Sequence, residues 1–244
     1  MSFSLAAATA RLVDPLLAVV FPSSCPACGV PLAHPTRGPL CDACWAALPR
    51  HRGTLCRCGL PLPASLVACG RCRRGLQIFA VGASLGPYEG SLKTAIHEFK
   101  YHSRRRVAGR LAEELLASAS VSEVVRGGEV LVPVPLHPRR HQERGFNQAE
   151  LLAFEIAQRA GIVAAPGALV RRKDTKPQAG LSAAGRRLNV AGAFAVRRRT
   201  QIAGRVVVLV DDVLTTGATA QACARALMDG GAKEVRLLAA ARVA

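Results

Sequence analysis

Aromatic and acidic side chains are scarce in this chain of 244 residues. Phe, Trp and Tyr make up 4% of it, which argues against a surface built throughout on the stacking of nucleic-acid bases. Only 16 Asp and Glu oppose 33 Lys and Arg, so the formal net charge is +17. This imbalance favours polyanionic partners: phosphorylated small molecules, nucleic acid or an anionic membrane. The alternative is a well-solvated, arginine-rich surface.

A long, uninterrupted apolar run is also missing. Residues 5–21 are largely apolar, but Arg11 and Asp14 interrupt them and no basic segment precedes them. A secretory signal peptide or a transmembrane helix requires a cleaner run. We therefore predict an amphipathic lead helix over residues 1–22, packed on the body of a cytoplasmic protein with no transmembrane segment. A role at a membrane surface is the less favoured alternative.

A strand-to-helix corner carries the strongest functional pattern. Residues 206–210 read Val-Val-Val-Leu-Val, which predicts a buried strand of a parallel sheet. Asp211 and Asp212 follow the strand, and residues 220–228 predict the next helix. The loop between them consists of Thr215, Thr216, Gly217, Ala218 and Thr219. Such corners, at the carboxyl ends of strands, are where open α/β sheets bind ligands.

The chemistry of this corner suits a sugar phosphate. Threonine hydroxyls, a glycine and the free N–H groups at the start of a helix form an anion cradle. The sequence has no Walker loop, and the dinucleotide fingerprint places its glycines before the acid rather than after it. The two carboxylates can accept hydrogen bonds from vicinal hydroxyls while the loop holds the phosphate. The alternative is that Asp and Thr only cap the helix, which needs one such residue rather than five.

Eight of the nine cysteines form the second strong pattern, four close pairs within residues 25–72. The pairs are Cys25 with Cys28, Cys41 with Cys44, Cys56 with Cys58, and Cys69 with Cys72. Four thiolates in two such knuckles bind one structural Zn²⁺, so we predict one or two zinc ions, with the pairing left open. A disulfide framework is the alternative, but no export signal supports it. The Cys56 to Cys58 spacing is one residue tighter than in a usual knuckle.

The remainder of the chain alternates strand and helix patterns, which is typical of an α/β domain. We expect strands at residues 78–85, 130–135 and 234–243, and helices at residues 91–101, 111–118 and 149–159. The expected organisation is a lead helix (1–22), a Cys-rich zinc-binding domain (23–76) and an α/β domain (77–244). We interpret Cys223, on the helix after the phosphate loop, as a small buried hydrophobe.

Basic residues concentrate in three further segments. Lys100 lies at the end of the helix expected at 91–101, and Arg144 lies in a basic loop between a strand and a helix. That loop has the composition that a pyrophosphate requires, or it is only a solvated basic loop. Residues 171–189 are long, polar and basic and include Arg186. A loop of this kind is consistent with a lid over an anionic substrate.

Taken in order, these motifs resemble the ComF family of phosphoribosyltransferase-like proteins associated with DNA uptake in natural transformation. The resemblance covers about residues 20–244. It rests on the paired cysteines, Phe99-Lys100-Tyr101, Val132-Pro133-Val134-Pro135, Arg144-Gly145-Phe146-Asn147-Gln148, Gln178-Ala179-Gly180-Leu181 with Arg186 and Asn189, and the Asp pair with its Thr loop.

The resemblance implies a type I phosphoribosyltransferase-like parallel sheet with helices on both faces, preceded by a small zinc-binding domain. It also implies phosphoribosyl pyrophosphate (PRPP) with Mg²⁺ as ligand, single-stranded DNA as a partner and contact with the DNA-uptake machinery. Asp211 and Asp212 would hold the ribose hydroxyls, and residues 215–219 the 5′-phosphate. Arg144 would lie near the pyrophosphate, and Lys100 and Arg186 are weaker candidates for the anionic substrate.

Two functional classes remain open at this point. In the first, the chain is a phosphoribosyltransferase with an unknown acceptor, which uses Arg144, Lys100 and Arg186 in catalysis. In the second, it is a non-catalytic PRPP sensor whose zinc-binding domain and basic surface bind single-stranded DNA. A purely structural zinc adaptor is disfavoured because it leaves the Asp pair and the Thr loop unexplained.

Overall fold

The computed structural model describes residues 23–35, 38–101, 106–136, 141–142, 145–172 and 192–243. The predicted lead helix (1–22), Arg144, Arg186 and most of the expected lid lie outside these residues. The strands of the described part are β1 (Gly82–Pro87), β2 (Val130–Pro133), β3 (Val163–Ala164), β4 (Leu169–Arg171), β5 (Phe194–Val196), β6 (Val206–Leu214) and β7 (Glu234–Arg242). The helices are α1 (Asp42–Ala46), α2 (Gly70–Arg73), α3 (Gly90–Tyr101), α4 (Arg106–Leu116), α5 (Ala119–Val125), α6 (Gln148–Ala160) and α7 (Ala218–Asp229).

Five of these strands form a parallel sheet in the order β1-β7-β6-β2-β3. The closing strand β7 therefore lies between β1 and β6, in the interior of the sheet. The apolar run of residues 237–241 within β7 fits that position, because an interior parallel strand is buried on both faces. β4 and β5 form a separate antiparallel pair.

Helices cover both faces of the sheet, as predicted. α3, α4, α5 and α6 contribute one buried layer, with Phe99, Leu111 and Ile156 among its members. α7 and the β4–β5 pair contribute the other layer, which includes Cys223 and Leu227. Cys223 is fully buried, which confirms its interpretation as a small hydrophobe.

The cysteine-rich part folds as two small modules, each beside a different layer. The first cysteine module (residues 23–51) buries Leu32, Leu40 and Trp45 against the layer that contains α4. The second cysteine module (residues 55–74) buries its thiols with Phe79 in the layer that contains α7. Both modules also reach β1: the His51 ring lies 2.8 Å from the Ser84 hydroxyl, and Gly82 N–H donates to the Arg57 carbonyl at 2.8 Å.

Three expectations about individual elements need correction. The first strand begins at Gly82 rather than residue 78, because Phe79 packs with the second cysteine module and does not pair within the sheet. The helix expected at 111–118 spans Arg106–Leu116. β3, β4, β5, α1, α2 and α5 were not predicted: the first five have at most five residues each, and α5 is rich in Val and Ser, which are weak helix formers.

Candidate functional site

The acidic pair lies near the end of β6, which continues through Leu214 and so extends past both carboxylates. Each carboxylate accepts a hydrogen bond from the next backbone N–H: Asp211 Oδ1 from Asp212 at 2.9 Å, and Asp212 Oδ1 from Val213 at 2.6 Å. Lys100, at the end of α3, reaches across with its Nζ 2.7 Å from Asp212 Oδ2. The two side chains are only 16% and 18% exposed. The structure therefore brings Lys100 and the acidic pair together.

Burial and charge set the ionisation of this group. Burial and, after it, the neighbouring charge of Asp212 raise the pKa of Asp211 to about 8, although the backbone hydrogen bond from Asp212 and the charge of Lys100 oppose the shift. For Lys100, burial lowers the pKa, but the charge and hydrogen bond of Asp212 more than offset this, so its pKa lies above the ordinary value. The site thus keeps a positive Lys100 against Asp212 and favours the protonated form of Asp211 near neutral pH.

The loop after β6 presents an open helix start. Gly217 is the N-cap of α7 and has φ 72° and ψ 8°, the left-handed conformation that glycine adopts at low cost. A Cβ added there would meet no described atom within 4 Å, so the space in front of the loop is open. Thr216 Oγ1 accepts from Ala218 N–H at 3.4 Å, and Thr215 is exposed. Backbone N–H groups and hydroxyls at the start of a helix of 12 residues form an anion-binding arrangement.

Another residue of the predicted basic loop has a structural role. Asn147 is buried and is the N-cap of α6, where its Oδ1 accepts from Ala149 N–H at 3.1 Å. Its Nδ2 donates to the Val134 carbonyl, also at 3.1 Å. Asn147 therefore fixes the start of α6 and ties it to the end of β2.

Two groups of four thiols are preassembled in the cysteine modules. Cys25, Cys28, Cys41 and Cys44 form one group, and Cys56, Cys58, Cys69 and Cys72 form the other. Within each group all the sulfur atoms lie within 4.8 Å of one another. The pairing is therefore sequential, and the tighter Cys56 to Cys58 spacing still assembles a complete group. Four sulfur donors form a donor set that zinc binds tetrahedrally, with no position left for a substrate.

The turns and backbone amides prepare these thiols for metal. Gly29 and Gly59 follow the first knuckle of each module with φ of 77° and 75°, and each donates its N–H to the carbonyl of Cys25 or Cys56 at 2.7 Å. Burial opposes ionisation of these two cysteines, but backbone hydrogen bonds lower the pKa of Cys25 to about 7 and that of Cys56 to about 6. Both groups fit structural zinc, which would crosslink each module.

The second cysteine module borders the phosphate loop. A cavity of about 240 Å³ lies between them, with Thr216 and Gly217 on one side and α2 on the other. Its lining comprises Cys58, Leu60, Cys69, Gly70, Arg71, Arg74, Gln77, Phe79, Leu214, Thr216, Gly217, Gln221, Leu237 and Arg242. The sequence interpretation missed the contributions of α2 and Arg242. The position of Arg242 at the carboxyl end of an expected strand was the one available signal.

Family models match both parts of the chain. A double zinc ribbon domain matches residues 16–73, and a phosphoribosyl transferase domain matches residues 147–243. The first match agrees with two sites of four cysteines, and the second includes the Asp pair and the Thr loop. None of the described helices has the length and apolar composition needed to cross a membrane.

Known proteins resemble the chain over most of its length. The DNA utilization protein YhgH of Salmonella typhimurium is 34% identical over 220 residues, which cover 88% of this chain and 95% of the relative. Competence protein F of Haemophilus influenzae is 30% identical and covers 86% of this chain and 93% of its own. Among solved structures, the glutamine PRPP amidotransferase of B. subtilis is 23% identical with a TM-score of 0.39 and covers 59% of this chain and 30% of its own. With its double zinc ribbon, its phosphoribosyltransferase-like sheet and relatives at this level of identity, the chain belongs to the ComF family.

Proposed function

We propose that this protein binds PRPP with Mg²⁺ at the corner formed by residues 211–219 and uses it as a phosphoribosyl donor. One observation carries the proposal: a part-buried acidic pair, whose Asp212 already contacts Lys100, directly precedes an open, glycine-capped helix start. A sugar phosphate has both complementary parts, vicinal hydroxyls for the carboxylates and a dianionic phosphate for the helix start.

Each side chain then has a distinct role. Asp211 and Asp212 accept hydrogen bonds from the ribose hydroxyls, and Thr215, Thr216 and Thr219 surround the 5′-phosphate together with the amides of residues 217–219. Lys100 exchanges its contact with Asp212 for one with the anionic ligand. Arg144 and Arg186 lie outside the described residues. The contact of Arg144 with the pyrophosphate and that of Arg186 with the anionic substrate therefore stay proposals.

The proposed reaction is a displacement at the anomeric carbon of the ribose. The bond from C1′ to the pyrophosphate oxygen breaks, and pyrophosphate leaves with the electron pair. A lone pair of the acceptor forms the new bond to C1′, and the proton of the acceptor passes to water. Bound Mg²⁺ supplies charge neutralisation for the leaving pyrophosphate. The cationic side chains near the acidic pair stabilise the same developing charge.

The cellular role that we propose is in the handling of single-stranded DNA during uptake. The names of the relatives, DNA utilization protein and competence protein, support it, and so does the excess of 33 Lys and Arg over 16 Asp and Glu. Free thiols are favoured over disulfides in a reducing compartment, and the described cysteines are free, which supports a cytoplasmic location. We retain residues 23–76 and 77–244 as the proposed zinc-binding and phosphoribosyltransferase-like domains.

Calorimetric titration with Mg²⁺–PRPP tests the proposed site. We expect micromolar affinity, about −8 kcal/mol, for the wild type, and at least a tenfold loss in the Asp211→Asn/Asp212→Asn variant. Asp229→Asn is the matched control, because it removes an exposed carboxylate at the opposite end of α7. Equal binding by all three proteins, or none by the wild type with its full zinc content, would contradict the proposal.

A second candidate function is a PRPP sensor that binds single-stranded DNA without turnover. The exposed Arg73 and Arg74, on and beside α2, favour it because they add positive charge to a module that is accessible from solvent. DNA binding through such contacts should weaken steeply as salt rises, which fluorescence anisotropy measures. Pyrophosphate release in the presence of candidate acceptors separates the two functions, because only the transferase produces it.

A further inference from the structure

A buried glutamine contacts the end of α3. Gln148 is 1% exposed, whereas glutamine side chains mostly lie on the surface. Its Nε2 donates to the backbone carbonyl of Lys100 at 3.4 Å. Lys100 is the second-last residue of α3, and the last four carbonyls of a helix have no partner within the helix. Gln148, the first residue of α6, therefore supplies a hydrogen bond that α3 cannot make at its own end.

An aromatic contact joins the same two helix ends. The centre of the Phe146 ring lies 6.1 Å from that of Phe99, with 40° between the ring planes, a separation typical of interacting aromatic pairs. Both rings are buried. Phe99 directly precedes Lys100, and Phe146 lies two positions before Gln148. The start of α6 thus holds the end of α3 through an apolar pair and a hydrogen bond at neighbouring positions.

Asn147, between these two residues, connects them to the sheet. Its Nδ2 donates to the Val134 carbonyl at 3.1 Å, and the Val134 N–H donates to the Val210 carbonyl at 2.8 Å. Val210 directly precedes Asp211 on β6. The position of the start of α6 is therefore fixed relative to the strand that carries the acidic pair.

These contacts form a closed ring that includes Lys100. From β6 the ring runs through the end of β2 and the start of α6 to the Lys100 carbonyl. The Lys100 Nζ then returns to β6 at Asp212, 2.7 Å away. A lysine side chain loses much rotamer entropy when it is fixed. A backbone that already directs the side chain toward its partner therefore favours the contact.

We propose that Gln148 is a positioning residue that holds Lys100 against Asp212, and that Phe146 and Asn147 keep Gln148 in place. Gln148 acts through the backbone of Lys100 rather than on a ligand. It thereby links the start of α6 to the acidic pair, which lies more than 60 positions further along the chain. The role of Lys100 toward an anionic ligand rests on the proposed function, whereas the positioning of Lys100 in the free protein does not.

Acetylation of the free protein by acetic anhydride, followed by mass spectrometry of its peptides, tests the positioning without PRPP. The contact with Asp212 must break before the amine reacts, so Lys100 should react at least about tenfold more slowly than the exposed Lys93 of the same helix. Gln148→Met keeps the size of the side chain but removes the donor. In this variant Lys100 should react about threefold faster or more, and the exposed Lys93 and Lys233 should not change.

Three further variants support this measurement. Gln158→Met makes the same substitution at an exposed position of α6 and should leave all three rates within about twofold of the wild type. Asp212→Asn weakens the partner itself and should accelerate Lys100 at least as much as Gln148→Met does. If Gln148→Met does not fold, Gln148→Asn replaces it with the same expected direction, because its amide is one methylene short of the Lys100 carbonyl.

A double-mutant cycle on Mg²⁺–PRPP affinity tests whether Gln148 acts through Lys100. Lys100→Met should weaken binding about tenfold and Gln148→Met about threefold. The double variant should lie within about twofold of Lys100→Met alone, because Gln148 has nothing left to position once the amine is gone. Losses that multiply would mean that Gln148 acts independently of Lys100 and would overturn the positioning role.

The outcomes separate this inference from the proposed function. Unchanged acetylation of Lys100 in Gln148→Met overturns the positioning role, whatever the affinity for PRPP. Faster acetylation of all three lysines also overturns it, because the substitution then loosens the fold generally. Faster acetylation of Lys100 alone supports it, and if the wild type does not bind Mg²⁺–PRPP, the proposed function alone is wrong.

Discussion

The two cysteine modules have the same zinc-binding chemistry but different surroundings. The first packs on α4, where the Arg110 guanidinium lies 5.6 Å from the centre of the Trp45 ring and Arg50 pairs with Glu114. The second packs beside α7 and the phosphate loop. Six of its residues line the cavity there: Cys58, Leu60, Cys69, Gly70, Arg71 and Arg74. We infer from this difference that the first zinc site acts as a scaffold, whereas the second also borders the proposed PRPP site.

The largest effect should come from removing either zinc site. Cys41→Ser/Cys44→Ser and Cys69→Ser/Cys72→Ser should each lose one of two zinc ions per chain and several kcal/mol of stability, because structural zinc sites contribute folding free energy directly. Elemental analysis and chemical unfolding measure both quantities. Only the second variant should weaken Mg²⁺–PRPP binding, because the second module borders the phosphate loop. Equal loss of Mg²⁺–PRPP affinity in both variants would remove the distinction between the modules.

The docking of the first module should be nearly as sensitive. A Cβ at Gly86 would lie 1.9 Å from the Pro49 carbonyl oxygen, so Gly86→Ala must displace backbone. We expect a loss of about 3 kcal/mol in urea unfolding. Gly70→Ala is the control and should change stability by less than about 1 kcal/mol, because its Cβ meets only a flexible side chain. A Gly86→Ala protein as stable as this control would show that the first module is not rigidly docked.

The predictability of these two regions from sequence also differs. β6, the Asp pair, the Thr loop and α7 follow from local pattern alone, because a buried strand, its acids and a helix start are contiguous. Cysteine spacing predicts the thiols as zinc ligands but leaves their pairing open, and the structure shows that the pairing is sequential. The cavity does not, because Arg242 and Cys58 are 184 positions apart and meet only through the insertion of β7 between β1 and β6. The prediction for the start of β1 was wrong for a related reason. Phe79 is apolar because it packs against the second module, and the local sequence pattern does not distinguish such a residue from one in a buried strand.

The acidic pair should give the molecule an unusual dependence of stability on pH. The pKa of Asp211 is raised to about 8 in the folded chain from an ordinary value of 3.8, so the folded state retains a proton that the unfolded state has released. Between about pH 4 and pH 8 this carboxyl therefore lowers stability as pH rises, and the loss is complete above about pH 8. Asp211→Asn should stabilise the protein by about 1–3 kcal/mol at pH 8 and by little at pH 4. Urea unfolding across this range measures it, and a pH-independent difference would contradict the account.

The smallest effect should come from the ion pair at the edge of the first module. The Arg50 side chain is 42% exposed, so its pair with Glu114 is screened by solvent. Arg50→Met should cost less than about 1 kcal/mol in urea unfolding and leave zinc content and Mg²⁺–PRPP affinity unchanged. A larger loss would mean that this edge, rather than the apolar contact of Trp45, holds the first module in place.

The most direct test of the account is a map of backbone amide shifts in the ¹⁵N-labelled protein during titration with Mg²⁺–PRPP. We predict that Mg²⁺–PRPP shifts the amides of residues 211–219 most and those of residues 69–74, across the cavity from the phosphate loop, less. The amides of the first cysteine module should not respond. Shifts that leave residues 211–219 unchanged, or that centre on the first module, would contradict the proposed site.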